Sequence, residues 1–116
     1  MRICLIDDDP LVLEALVETV AGLGHEALPA LTVDQALDVI GRGVDAAVVD
    51  MLMPDRDGLD FIMAARESHP DLKIIAISGG GRLGANRVLG MARSFGAGAV
   101  LPKPFSASEL QAALQA

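Results

Sequence analysis

The sequence predicts an α/β protein built on a parallel sheet with helices on both faces. Three observations predict it. Short apolar runs alternate with longer amphipathic stretches along the whole chain. Five runs of each kind can be placed, in strict alternation. Helix-start signals, capping residues and punctuating glycines fall where each amphipathic stretch should begin or end.

Ile3 to Ile6 reads as the first strand. Pro10 to Leu23 reads as a helix with Leu13, Leu16, Val17 and Val20 on one stripe. Asp9 is its N-cap, Pro10 occupies the first turn where no N–H is needed, and Gly24 follows its end. His25 to Leu28 is the second strand. Thr32-Val33-Asp34-Gln35 has the pattern of a capping box opening a helix to about Ile40, closed by Gly41 and Gly43. Ala46 to Val49 is a buried strand. Gly58 to Ser68 is helical, with Leu59, Ile62 and Ala65 facing inward, and Pro70 follows. Leu72 to Ile77 is the fourth strand, Ala85 to Phe95 the fourth helix, and Gly98 to Leu101 the fifth strand. Ser106-Ala107-Ser108-Glu109 is a second capping box, starting a last helix to Ala116. Pro102 cannot donate to a ladder, so the fifth strand should lie at a sheet edge. Periodicity does not give the order of the other strands.

A chain of 116 residues fits one domain, residues 1–116. Its apolar content of 52% contains neither Trp nor Tyr, so the core is aliphatic. The single cysteine, Cys4, lies inside an apolar run and reads as a buried, inert thiol in a reducing, cytoplasmic setting. A formal charge of −7 argues against nucleic-acid binding by this chain alone and against an anionic membrane surface. No apolar run approaches the ~20 residues of a membrane span. Acidic residues follow Met1-Arg2 too soon for a signal peptide.

In open parallel sheets, ligands bind beyond the carboxyl ends of the strands. The first strand leads into Asp7-Asp8-Asp9, the third into Asp50, the fourth into Ser78 and the fifth into Lys103. Three carboxylates, a hydroxyl and an amine thus converge on one edge. Carboxylates 4 Å apart repel by about 4 kcal/mol per pair at an effective dielectric near 20. A hard divalent cation and one ammonium remove that conflict, and Mg²⁺ prefers one or two carboxylates together with a phosphate. The plain alternative is that such acids cap helices. It suits Asp9 and part of Asp8. It does not explain Asp50, which is followed by Met51-Leu52-Met53-Pro54 rather than by a helix.

The chain resembles the receiver domains of two-component response regulators, the CheY-like superfamily. The resemblance covers nearly its whole length. The matching segments are Ile6-Asp7-Asp8-Asp9-Pro10, Val49-Asp50-Met51-Leu52-Met53-Pro54, Asp57-Gly58, Ile77-Ser78 and Lys103-Pro104-Phe105. The resemblance implies a flavodoxin-like (βα)5 doubly wound sheet of strand order 2-1-3-4-5. It implies Asp50 as phosphoacceptor and Mg²⁺, with Mn²⁺ able to replace it, held by Asp7, Asp8, Asp50 and the backbone carbonyl of Leu52. Ser78 and Gly79 would bind the phosphoryl group or switch with it. Lys103 would pair with Asp50 at rest and with a phosphoryl oxygen afterwards. The Lys103-Pro104 peptide would be cis.

The implied donor is a sensor histidine kinase, a histidine phosphotransfer protein or a small phosphodonor such as acetyl phosphate. The domain would catalyse only its own phosphorylation and dephosphorylation. Its signal would leave through the loop after the fourth strand and the face formed by the fourth helix, fifth strand and fifth helix, toward an unspecified output protein or appended domain. The natural protein is either a stand-alone receiver or a longer hybrid kinase or transcriptional regulator. A phosphoaspartate phosphatase is a weaker alternative, because such enzymes place a second Asp where Leu52 stands.

Two features depart from the family pattern. Many members carry Tyr or Phe as a rotating switch where this chain has Val100. The stretch from Ser78 to Lys103 is also a few residues longer than in compact members, around Gly79-Gly80-Gly81-Arg82-Leu83-Gly84. That segment reads either as a mobile recognition loop or as a tolerated surface insertion. It lacks the Lys-Ser/Thr ending of a P-loop. His25, His69 and the arginines Arg82, Arg87 and Arg93 read as solvated. Met51 and Met53 read as loop hydrophobes lining the site.

Overall fold

The structure, a computed structural model, describes residues 1–51, 58–79, 87 and 90–116. The elements are β1 (Arg2–Ile6), α1 (Pro10–Gly22), β2 (Glu26–Ala30), α2 (Val33–Gly41), β3 (Ala46–Asp50), α3 (Gly58–Ser68), β4 (Lys73–Ser78), α4 (described at 87 and over 90–94), β5 (Ala99–Pro102) and α5 (Ala107–Gln115). All pairings are parallel and the five-stranded sheet runs β2-β1-β3-β4-β5. This is the flavodoxin-like order implied by the resemblance.

Strand alternation divides the core into two layers. Cys4, Ile6, Ala47, Val49, Ile74 and Ala76 face one side, where Val33, Ala36 and Ile40 of α2, Phe61, Ile62 and Ala65 of α3 and Ala92 of α4 cover them. Ile3, Leu5, Ala46, Val48, Ile75 and Ile77 face the other, under Leu13, Leu16 and Val20 of α1 and Leu110, Ala113 and Leu114 of α5. Every residue of β3 is buried, as expected of a central strand covered on both faces.

The helix starts follow their sequence signals. Asp9 Oδ1 accepts the Leu11 N–H at 2.9 Å. Ser106 and Glu109 form the reciprocal capping box, both bonds at 3.0 Å. At α2, Thr32 Oγ1 accepts the Gln35 N–H at 3.1 Å, but Gln35 Oε1 reaches one residue further back, to the Leu31 N–H at 2.9 Å. In α3 the inward face is Gly58, Phe61, Ile62 and Ala65, with Leu59 only half-buried.

Both sheet edges carry a proline. Glu26 donates to Met1 O and Ala30 accepts from the Asp7 N–H, so Glu26 and Ala30 face β1 and Pro29 faces outward. At the other edge Lys103 donates to Ser78 O at 2.8 Å, so its neighbour Pro102 faces outward. A missing N–H at either position breaks no ladder bond and blunts the edge against further pairing.

His25 is not solvated. Its Nε2 lies 2.8 Å from Gln111 Oε1 of α5 and its Nδ1 lies 3.1 Å from the amino terminus. The amino terminus donates to Nδ1, so Nε2 carries the proton and donates to Gln111. His69 is half-buried, with Nδ1 at 2.8 Å from Ser68 Oγ. Arg87 and Arg93 are exposed. Arg82, Met53 and most of the Gly79–Gly84 segment lie outside the described residues. Among the described residues, no helix is long and apolar enough to cross a membrane.

Candidate functional site

Parallel pairing in register brings the carboxyl ends of the inner strands to one edge. Asp7 follows β1 directly, and its N–H extends the ladder by donating to Ala30 O at 3.2 Å. Asp50 and Ser78 are the last residues of β3 and β4. Lys103 follows β5 and is tied to β4 through its bond to Ser78 O. Each of these side chains is therefore positioned by a strand.

Asp7, Asp8 and Asp50 form one cluster, each offering a carboxylate oxygen within 4.8 Å of the others. Asp7 and Asp50 are buried, at 1% and 6% exposure, while Asp8 faces solvent. Asp7 Oδ1 accepts the Asp9 N–H at 2.9 Å, closing a turn that turns its carboxylate inward. Its Oδ2 lies 3.5 Å from Lys103 Nζ. The ammonium thus stands over the cluster, its stem lying along Gly79, where a Cβ would meet Lys103 Cδ at 3.6 Å. The Ser78 hydroxyl is fully buried and donates to Gly79 O at 3.1 Å. The Lys103–Pro104 peptide is cis.

Among the described residues, three carboxylates gather against the Lys103 ammonium, leaving an excess of negative charge on hard oxygen donors. That is the donor chemistry of Mg²⁺ or Mn²⁺, not of a soft metal. Leu52 lies outside the described residues. Val100 is half-buried, opposite Ala76, and packs against the core layer under α2 and α3. Met51 lies in that same layer at 2% exposure, so it supports the site from below.

One contact was invisible in the sequence. Gly58 opens α3 against the backbone just beyond Asp50. A Cβ there would lie 2.8 Å from Asp50 O and 2.9 Å from Met51 Cα. Only glycine allows this approach. The Asp57-Gly58 segment belongs to the family pattern, but nothing in its local spacing announces the contact.

The comparisons with known proteins agree with this geometry. The family model described as the response regulator receiver domain matches residues 3–115. The transcriptional regulatory protein CpxR of Escherichia coli K12 is 35% identical over 99% of this chain, which covers 48% of CpxR. The response regulator MprA of Mycobacterium avium is 36% identical over 100% of this chain, which covers 50% of MprA. The chain thus spans about half the length of these relatives. Among solved structures, a response regulator receiver domain protein from Clostridium thermocellum superposes with a TM-score of 0.89 at 26% identity, covering 98% of this chain and 90% of that one. The receiver domain of NtrX from Brucella abortus gives 0.87 at 28% identity, covering 97% and 98%. An aspartate-lined edge on a 2-1-3-4-5 sheet and a family match across almost every residue lead to one conclusion: this chain belongs to the response regulator receiver domain family of two-component signalling.

Proposed function

We propose that the domain accepts a phosphoryl group on Asp50 from a phosphohistidine donor, a sensor histidine kinase or a histidine phosphotransfer protein, and signals through its changed surface. The observation that carries this reading is the meeting of Asp7, Asp8 and Asp50 within 4.8 Å under an ammonium 3.5 Å from Asp7.

Asp50 supplies the nucleophilic carboxylate. Its place at the end of a fully buried strand holds it still for in-line attack. Lys103 offsets charge on the transferring oxygens, and its backbone bond to Ser78 keeps it in place. The Ser78 hydroxyl exchanges its bond to Gly79 O for one to a phosphoryl oxygen, drawing the segment after β4 with it. Asp7 and Asp8, with Asp50 and the Leu52 carbonyl, would hold Mg²⁺ or Mn²⁺. When bound, that ion supplies charge neutralisation on the phosphoryl oxygens. Water later hydrolyses the acyl phosphate in the same pocket, so the domain resets itself and turns over no metabolite. A change at the Ser78 end biases the α4, β5 and α5 surface by population shift.

Coverage of only about half of CpxR and MprA supports a second element of the proposal. The natural output is an appended domain of the kind found in such regulators, not a surface of this chain alone.

Intact mass after treatment with acetyl phosphate tests the reading. Wild type gains ~80 Da only with Mg²⁺, and Asp50→Asn gains nothing. Undiminished addition in the variant would move the site elsewhere. Steady turnover of a phosphate monoester would favour a phosphatase instead.

A further inference from the structure

α3 touches the candidate phosphoacceptor at one end and the turn between α4 and β5 at the other. At its start, Gly58 abuts Asp50 O and Met51, with no room for a methyl group. At its end, Arg66 Nε donates to Gly96 O at 2.9 Å and Nη1 donates to Pro70 O at 2.9 Å. The arginine stem lies flat on Gly96, where a Cβ would stand 2.8 Å from Arg66 Cγ.

The turn held by Arg66 is itself tightly built. Gly96 has φ +121. Its N–H donates to Arg93 O and the Ala97 N–H donates to Ala92 O, the paired bonds of a Schellman motif ending α4. The Gly98 N–H then donates to Ile74 O at 2.9 Å, which starts β5. The carbonyl of Gly96 points out of this motif, and the guanidinium takes it. Between Gly58 and Arg66, α3 rises about 12 Å as an uninterrupted helix, with Phe61, Ile62 and Ala65 buried in the core.

We propose that α3 is a mechanical link from the Asp50 backbone to the α4–β5 turn, with Arg66 as the positioning residue that engages the turn. The inference rests on Asp50 as phosphoacceptor. It supplies a route to the α4 and β5 surface that needs neither the Ser78 hydroxyl nor an aromatic at position 100. Packed helices transmit small displacements as rigid bodies because their interiors are dense. A displacement of the Asp50–Met51 backbone bears directly on Gly58, and Arg66 carries it to Gly96.

Backbone amide NMR tests the link in two arms. In the first, beryllium fluoride with MgCl₂ mimics the acyl phosphate on wild type, Arg66→Met and Arg66→Lys. Wild type shifts the Gly96, Ala97 and Gly98 amides. Arg66→Met, which keeps the stem and loses the donors, loses those shifts while the resonances around Asp50 still respond. Arg66→Lys restores part of them. In the second arm no phosphoryl mimic is used. Gly58→Ala, which pushes α3 directly, shifts the same amides in the wild-type background and leaves them unmoved beside Arg66→Met. Shifts at Gly96–Gly98 that persist in Arg66→Met in either arm overturn the link. No response at Asp50 in the wild type, with the second arm positive, overturns the phosphoacceptor reading and keeps the link.

Discussion

The ammonium of Lys103 stands 3.5 Å from Oδ2 of Asp7, a residue 96 positions earlier in the chain. Asp7 is almost wholly buried and Lys103 partly so, so water screens this pair less than a surface ion pair. Lys103→Met removes the cation that, among the described residues, pairs with the acidic cluster. Phosphorylation by acetyl phosphate should slow by about 10²–10³-fold, the usual cost of losing one charge-stabilising donor. Mg²⁺ should bind more tightly, because a positive charge beside the cation site is gone. Intact-mass time courses and a metal titration read the two effects. A slow variant with weakened metal binding would mean that Lys103 organises the site rather than neutralising charge.

Burial pushes the Cys4 thiol up from 9.0 to about 12. Its Sγ donates to Ala36 O at a long 4.0 Å. The folded protein should therefore resist alkylation at pH 8 and react only as fast as it unfolds. Above about pH 9 the unfolded chain loses the thiol proton and the folded chain keeps it, so stability falls as pH rises. The decline should continue toward about pH 12, at up to about 1.4 kcal/mol per pH unit. Urea midpoints of wild type and Cys4→Ala between pH 8 and 10.5 check this, the variant having the shallower slope.

Lys73 opens β4 and donates from Nζ to Leu114 O at 2.8 Å and to Ala116 O. α5 has no basic residue in its last turn, so this lysine from another element satisfies its terminal carbonyls. Lys73→Met should destabilise the protein by about 1 kcal/mol. Amide exchange in α5 should accelerate while that in β3 follows only the global change. Equal acceleration in both would show that Lys73 acts on the whole fold.

The parts of this fold legible in the sequence are those set by local signals. Capping residues fix the starts of α1, α2 and α5, and a carboxylate, hydroxyl or amine after β1, β3, β4 and β5 fixes the site edge. The parts that escaped depend on partners far along the chain. His25 reads as a turn histidine, yet its ring binds Gln111, 86 residues on. Arg66 carries no local signal of its role, yet it holds Gly96, 30 residues on. β2 runs to Ala30, two residues past the expected end at Leu28, and Ala30 O takes the Asp7 N–H. In α3, Phe61 joins the expected Ile62 and Ala65 in the core, and Leu59 packs partly buried against the same layer.

Asp8 is the exposed member of the acidic cluster, and this gives it two opposed effects. Without a divalent cation, its charge repels Asp7 and Asp50, by about 1 kcal/mol per close pair where water screens fully. Asp8→Asn should therefore raise the thermal midpoint in EDTA. With the cation, the native site gains binding energy that the unfolded chain lacks, so MgCl₂ should raise the wild-type midpoint in proportion to the logarithm of its concentration. Asp8→Asn should lose most of that rise. The two melting curves then cross as Mg²⁺ increases, the variant being more stable at low concentration and the wild type at high. A variant that is less stable at every concentration would assign Asp8 to holding the β1–α1 loop instead of a cation.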